Sequence, residues 1–530
     1  MRTLNLFGLS LAFIGASQVQ DAGAAPSSLP PRAMTSTVRS CFADNALKIV
    51  YPSDSSYSDL AKSTAARFNY QPSAIALPSN PTDVQAVVRC VGKANGQVQA
   101  IARGGGHSYE AVSSGGRDGV VVIDLRNMKG ITVNQQSQTV FVSAGAKLGA
   151  LAESLANQGY ALPHGTCAGV GVAGHALGGG FAFQGRAWGY LMDRIVSMHY
   201  VRPDGTLVDV SAESEPDLWF ALRGAGAAMG GVVTRFEFAL EKAPTQVVTF
   251  TYTLKNNQAC ASALLSWDEA ANTQGYFPPE LGAELLIYGS GAGDGNGGGA
   301  CSITGAQIYA TKAQHTATFS RLFTSIKKYQ QNAGASGATG DYLLSSQVDF
   351  HSSWRDGLHA IMGSFDTTSR EAVEADRETY YAEGKVQFIG ARFTQSSARD
   401  LVNSISNYAS SSPETDGSIA FDLQGVDSVT NSASRNETSL LAGNVASILQ
   451  FYAYDQATSK TIDSARVLMG KVPDPSNVSP RGYSNYPSAR FTNWPRFYYG
   501  DAAPRLKALK AKLDPQRLFT FQQSMDNANV

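Results

Sequence analysis

Charge is scarce in this sequence. Charged residues make up 16% of its 530 positions, well below the ~25% usual for globular chains. Lys+Arg 42 against Asp+Glu 43 leave a formal net charge of -1. Nothing there provides a general electrostatic footprint for nucleic acid or for an acidic membrane surface. No apolar run reaches the ~18 residues of a membrane span, and no internal repeat is visible. Hydrophobic residues nonetheless make up 43%, enough for large cores, which excludes a disordered chain. The length suggests about three to four folding units.

Cysteine is also sparse, and its count of 5 is odd. Cys41, Cys90, Cys260 and Cys301 sit in ordinary surroundings and suffice for two disulfides. Cys167 is different, because it lies among histidines and glycines in His164-Gly165-Thr166-Cys167-Ala168-Gly169-Val170-Gly171. An odd cysteine in an exported chain points to a thiol with a further purpose. Export is expected from Met1-Arg2, the apolar Leu4 to Ile14 and the small residues running to Ala25, which have the shape of a signal peptide. The mature chain is then expected to start between residues 17 and 26. Asn436-Glu437-Thr438 and Asn477-Val478-Ser479 are glycosylation sequons that fit a secreted, extracellular protein.

What the sequence does have is glycine, 52 residues, and it falls in clusters. Thr35 to about Leu240 reads as α+β. Thr82-x-x-Gln85 predicts a capping box, and Val84, Val87, Val88 and Val91 predict one helix face closed by Asn95-Gly96. Strands are expected at Val98 to Ala102, Val120 to Leu125 and Val140 to Ser143, and a second helix at Leu148 to Ala156. From about Val247 to Gly482 the composition turns richer in Ser, Thr and Ala, with a Gly289 to Ala300 stretch that reads as a surface loop. A last helix carries Leu506, Leu509 and Leu513 on one face, with Lys507, Lys510 and Lys512 expected on a solvated face, and stops at Pro515.

Gly169 to Gly174 matches G-x-G-x-x-G but fails the context of a Rossmann fingerprint. No clean strand precedes it, and Gly178-Gly179-Gly180 interrupts any helix after it. A backbone without side chains instead lets a bulky planar group lie directly on it. Arg103-Gly104-Gly105-Gly106-His107-Ser108-Tyr109 follows a predicted strand and exposes successive N–H groups suited to a pyrophosphate. His107, His164, Cys167 and His175 lack a recognisable zinc spacing, so no metal is expected.

Arg103 to Tyr109, His164 to Gly180, Asp217-Leu218-Trp219-Phe220-Ala221-Leu222-Arg223-Gly224, Asn485-Tyr486 and Tyr498-Tyr499-Gly500 together resemble the berberine-bridge-enzyme-like flavin oxidases. These belong to the vanillyl-alcohol-oxidase superfamily, and the likeness is to its fungal oligosaccharide oxidases. The resemblance runs in order over nearly the whole mature chain. It implies an α+β fold with a two-part FAD-binding domain of the PCMH type at 35–245, after a signal peptide at 1–25. An α+β substrate domain with an antiparallel sheet would follow at 246–485, and a C-terminal segment at 486–530 would return to the FAD domain.

The resemblance also implies roles. FAD would be attached covalently through His107 at its 8α-methyl group and through Cys167 at C6. Arg103, Gly104, Gly105, Gly106 and Ser108 would carry the pyrophosphate region. Gly171, Gly174 and His175 would contact the cofactor, and Val233 its distal end. Tyr486 would be the catalytic base, assisted by Asp422 in Ile419-Ala420-Phe421-Asp422-Leu423-Gln424-Gly425. Tyr109 and Gln450 would contact the sugar, and Val170 would sit at an oxygen gate, where valine resembles oxidases rather than dehydrogenases. The reaction would take an anomeric proton to Tyr486 and the C1 hydride to flavin, giving a lactone, with dioxygen reduced to hydrogen peroxide. Cys41 would pair with Cys90, leaving Cys260 for Cys301. An oligosaccharide and dioxygen are thus the expected partners of a monomeric enzyme.

Departures from the family pattern are Ala168 after the cysteine, Ala173 in the second loop and Pro487-Ser488 after Asn-Tyr. Ser418 and Ala420 stand where the glucooligosaccharide-type enzymes carry a large aromatic and a glutamine, so a wider or differently wetted cleft is expected. Two alternatives compete: a same-fold oxidase of a secondary-metabolite alcohol or amine, and a flavin-free binding protein that keeps the fold. Retention of Tyr109, Asp422, Gln450 and Tyr486 together favours the sugar.

Overall fold

The computed structural model describes residues 34–289, 300–332, 342–367, 377–410, 417–431, 437–440, 443–454, 458–476 and 478–530. The expected leader, both sequon asparagines (Asn436 and Asn477) and all but the ends of the Gly289 to Ala300 stretch lie outside the described residues.

The valine spacing forms the helix Pro81–Gly92, with Val84, Val87, Val88 and Val91 all buried. Its cap is Asn80, whose side chain accepts from the Asp83 N–H, and not the box expected at Thr82. Pro81 takes the first helical position, where a missing N–H costs nothing, and this draws the start back past Thr82. The expected strands appear as Ala100–Arg103, Val121–Asp124 and Thr139–Ser143, and the second helix spans Leu148–Ala156 as read.

Ile49–Val50, Ala74–Ala76, Val121–Asp124 and Ala100–Arg103 lie in that order in a small sheet. The last three strands run parallel, and Ile49–Val50 is antiparallel at the edge. Beside it a five-stranded antiparallel sheet follows the order Ile131–Asn134, Thr139–Ser143, Val232–Ala239, Ile195–Val201, Leu207–Val210. Val88, Val121, Val142, Phe236 and Phe238 belong to one shared core. The loop after Arg103 therefore leaves the carboxyl end of a parallel strand, the place where α/β sheets bind ligands.

A seven-stranded antiparallel sheet takes the strands from Val247–Leu254 to Val445–Ala453. Helices Asn257–Ala271, Lys312–Asn332, Gln395–Ser410 and Ser459–Gly470 cover one face, around Trp267, Phe319, Phe421 and Phe451. Side chains alternate along a strand. In Gly417–Leu423, Ile419, Phe421 and Leu423 enter that core, which turns Ser418, Ala420 and Asp422 to the opposite face.

The chain then returns. Helices Trp494–Tyr499 and Ala503–Leu513 share a core with Pro216–Met229, and the Leu518 carbonyl accepts from the Ala100 N–H at 2.8 Å. One expectation fails here: Lys510 is not on a solvated face but fully buried. Its ammonium donates to Asp514 at 2.7 Å and to the Phe519 carbonyl at 2.8 Å, which satisfies the charge inside the fold. Disulfides join Cys41 to Cys90 and Cys260 to Cys301. No described helix is long and apolar enough to cross a membrane.

Candidate active site

The two glycine loops meet backbone to backbone. A Cβ at Gly105 would stand 2.1 Å from the Gly171 nitrogen, and one at Gly171 would stand 2.2 Å from the Gly105 nitrogen. Neither position has room for a side chain. The second loop is also pinned from below, where the Leu148 N–H donates to the Val170 carbonyl at 2.9 Å and the Val172 N–H to Ala146 at 3.0 Å. A Cβ at Gly174 would meet nothing within 4 Å, so a floor without side chains borders open space. That arrangement fits a planar ring system such as flavin. Cys167 stands exposed on the rim outside any disulfide. Its loop meets the one that carries His107 where Gly171 lies against Gly105.

Several residues read as cofactor contacts spend their side chains on the protein. The Arg103 guanidinium is buried, donating to Asp124 at 2.9 Å through Nε and to the Leu60 carbonyl at 2.7 Å. That leaves its backbone facing the loop. The Ser108 hydroxyl accepts from the Val112 N–H at 3.2 Å. His175 Nε2 accepts from the Gly165 N–H at 3.0 Å, bracing the turn that carries Cys167. Burial, then the neighbouring His164, pushes the His175 pKa down to about 3, so the ring is neutral. The His164 Nδ1 lies 2.9 Å from the Gly165 carbonyl oxygen. No group of three or more His, Cys, Asp or Glu able to hold a metal occurs among the described residues. Val170 is half-buried where the loops cross, and Val233 is buried on Val232–Ala239.

The opposite wall comes from the seven-stranded sheet and the returning chain. Asn485 donates to the His175 carbonyl at 2.9 Å, and the Tyr483 hydroxyl accepts from the Gly180 N–H at 2.8 Å. This dipeptide region thus docks on the second glycine loop, and Tyr486 follows directly. The Tyr486 ring stacks on Tyr109 with centroids 5.7 Å apart, and the Tyr109 hydroxyl accepts from Gln450. Asp422, which is 3% exposed, lies close enough to Tyr486 for its charge to bear on the phenol. Burial first, and then the Asp422 charge, push the Tyr486 phenol well above its ordinary pKa. The four residues expected at the reaction centre are therefore in one place.

Sequence reasoning missed others. Glu284 lies opposite Asp422 across paired strands. A lone acid in the otherwise apolar Leu281–Tyr288 was the available signal. Glu383, fully buried, takes both arms of the Arg490 guanidinium and a hydrogen bond of 2.6 Å from the Tyr381 hydroxyl. Ser488, in the departing Pro487-Ser488, donates its N–H to the Tyr498 hydroxyl at 2.9 Å and fixes the chain after Tyr486. A line of rings runs outward from the centre. Tyr109 meets Tyr380 edge to face at 5.5 Å, Tyr380 stacks on Tyr452 at 4.9 Å, and Tyr454 meets Tyr452 at 5.0 Å. Ser418 faces Tyr452 in register, and Ala420 faces Gln450.

Comparison with known proteins agrees with this geometry. An FAD binding domain family matches residues 72–211, and the berberine and berberine-like family matches 482–526. Glucooligosaccharide oxidase of Sarocladium strictum is 31% identical over 475 residues, covering 86% of this chain and 87% of the relative. Chitooligosaccharide oxidase of Gibberella zeae is 27% identical over 497 residues, covering 89% and 92%. Among solved structures, a glucooligosaccharide oxidase from Acremonium strictum, described as revealing a novel flavinylation, superposes with a TM-score of 0.78 at 25% identity, over 93% of this chain and 99% of that one. A touching pair of glycine loops at one wall and a tyrosine delivered by the returning C-terminal segment at the other place this chain in the berberine-bridge-enzyme-like family of FAD-linked oxidoreductases.

Proposed function

We propose that this protein oxidises the reducing-end C1 hydroxyl of an oligosaccharide to a lactone, with dioxygen as electron acceptor and hydrogen peroxide as product. The observation that carries this reading is the set Tyr486, Tyr109, Asp422 and Gln450, gathered by the Tyr486–Tyr109 stack and the Gln450–Tyr109 hydrogen bond, with Asp422 beside Tyr486. The relatives named for oligosaccharide oxidation support the same class.

His107 and Cys167 are the residues that would hold the flavin from two sides. Bound there, FAD supplies an acceptor for the C1 hydride and a route for both electrons to dioxygen. The chain supplies the rest. Tyr486 is held as a neutral phenol, so it is no preformed phenolate. It works by passing its own proton to Asp422 while taking the sugar's hydroxyl proton at the same oxygen. Gln450 fixes the Tyr109 hydroxyl, and Tyr109 in turn fixes the plane of Tyr486. Val170, small and half-buried at the loop crossing, leaves dioxygen an approach.

In this reading the chain divides near residues 245 and 485 into cofactor, substrate and closing segments, and is exported. The two disulfides fit an oxidising compartment. Ser418 and Ala420 on the cleft floor favour a second reading, an oxidase of a secondary-metabolite alcohol or amine. Hydrogen peroxide release over a panel of reducing cello-, malto-, xylo- and chito-oligosaccharides and lactose decides between them. Silence on every sugar, with turnover of a benzylic alcohol, would move the function to the second. Colourless purified protein would leave only a binding role.

A further inference from the structure

We propose that Glu284 is a positioning residue for the reaction, forming with Asp422 a carboxyl pair that keeps one resident proton and leaves one site open for the proton that Tyr486 releases. The inference deepens the reading above and rests on its assignment of Tyr486 as base.

The geometry comes from two neighbouring strands. Glu284 and Asp422 are register partners between Leu281–Tyr288 and Gly417–Leu423, so their side chains emerge side by side on one face. Cross-strand partners on one face stand close enough to interact directly, and Asp422 also shifts the titration of Tyr486. The remaining titratable groups facing the pair are phenols: Tyr486 and Tyr483 from the returning chain, and Tyr109 from the first glycine loop. Strand Val445–Ala453 presents Ile448 opposite Asp422, which carries no charge. The influences on the two carboxyls are burial, each other and Tyr486; no guanidinium or ammonium among the described residues is one of them.

Without a cation, two adjacent anions in a desolvated cleft repel, and one proton stays bound to the pair. Burial pushes the Glu284 carboxyl up to about 7, and burial followed by Glu284 pushes Asp422 well above the usual range. The pair shares that proton, which leaves one of its two carboxyls open. During turnover one proton leaves the sugar hydroxyl for the Tyr486 oxygen, and the phenol's own proton moves to Asp422. The phenol ends as it began, and the pair goes from one proton to two. Glu284 never exchanges a proton with substrate. It keeps the pair singly anionic beside the phenol.

The test is infrared difference spectroscopy on the purified flavoprotein in mildly alkaline buffer, followed by pH profiles of kcat. The wild type is expected to show one protonated carboxyl C=O stretch that shifts on deuteration. Glu284→Gln and Asp422→Asn are each expected to lose the band at a lower pH than the wild type, because the remaining carboxyl keeps its burial but not its acidic neighbour. Yellow colour in both variants verifies that they fold. A band that titrates identically in Glu284→Gln and wild type, or that is missing from the wild type, overturns the proposal. In kcat, Glu284→Gln is expected to shift the pH limb governed by the pair by about one unit or more, and a superimposable profile overturns it. The infrared result needs no sugar. If every oligosaccharide fails while the band behaves as expected, the sugar reading falls and the proton-sharing pair stands.

Discussion

The ring of Tyr486 lies directly on the backbone of Gly384: a Cβ added there would stand 2.8 Å from the Cβ of the tyrosine and 3.0 Å from its ring. The strand Tyr381–Phe388 thus sets the height of the proposed base. Gly384→Ala is expected to leave cofactor content unchanged and lower kcat about 10- to 100-fold, the scale of an ångström-sized misplacement. Stopped-flow reduction by the best sugar reads this directly, and wild-type rates would show that the contact does not position the ring.

Tyr486→Phe removes only the hydroxyl from a ring stacked on Tyr109. Turnover is expected to fall about 100- to 10,000-fold, the range for losing a general base. Covalent flavin content, followed by colour in acid-precipitated protein, is expected to hold. A variant that still turns over normally would take the role of base away from this residue.

The two attachments are expected to be independent. Cys167→Ala retains flavin through His107 and is reduced more slowly, whereas His107→Ala joined with Cys167→Ala releases all flavin on acid precipitation. The check is absorbance of pellet and supernatant, and a colourless pellet from Cys167→Ala alone would contradict two separate bonds.

Arg490→Met strands the fully buried Glu383 carboxylate without its guanidinium. Removing one partner of a buried pair costs about 3–5 kcal/mol. The variant is expected to melt several degrees lower and to lose activity because the segment after Tyr486 loosens. Calorimetry of wild type and variant side by side measures it, and equal melting temperatures would mean the pair is dispensable.

Acid should weaken the fold through His175. Its folded-state pKa is depressed to about 3 by burial and by His164, against an ordinary 6.5. Between those values the unfolded chain binds the extra proton, so stability is full above about 6.5 and falls as pH drops toward 3. One such proton contributes up to ~1.4 kcal/mol per pH unit. Denaturant titrations from neutral to mildly acidic buffer are expected to give a steeper loss for wild type than for His175→Asn. Parallel slopes would locate the acid sensitivity elsewhere.

Local signals were readable where one segment decides its own structure. The valines of Pro81–Gly92 and the apolar face of Leu148–Ala156 need no distant partner to show their period. Asn80 was not legible as the cap, because Thr82 and Gln85 offer an equally good box until Pro81 is seen to occupy the first helical position. Lys510 and Asp514 sit four residues apart, the spacing of an ordinary surface pair, and only the Phe519 turn folding over them makes the pair internal. Glu284 illustrates the general limit. Alternation in its strand says which face it takes, but not that Asp422, far along the chain, lies beside it. The site itself was legible through family motifs rather than through periodicity, and the arginine and histidine of those motifs turn out to brace loops with their side chains.

Tyr483, Asn485 and Tyr486 reach the second glycine loop only once the returning segment has docked. The ribosome delivers that segment last. A nascent chain therefore lacks Tyr483, Asn485 and Tyr486, and with them one wall of the candidate site, until that segment has been made and has docked.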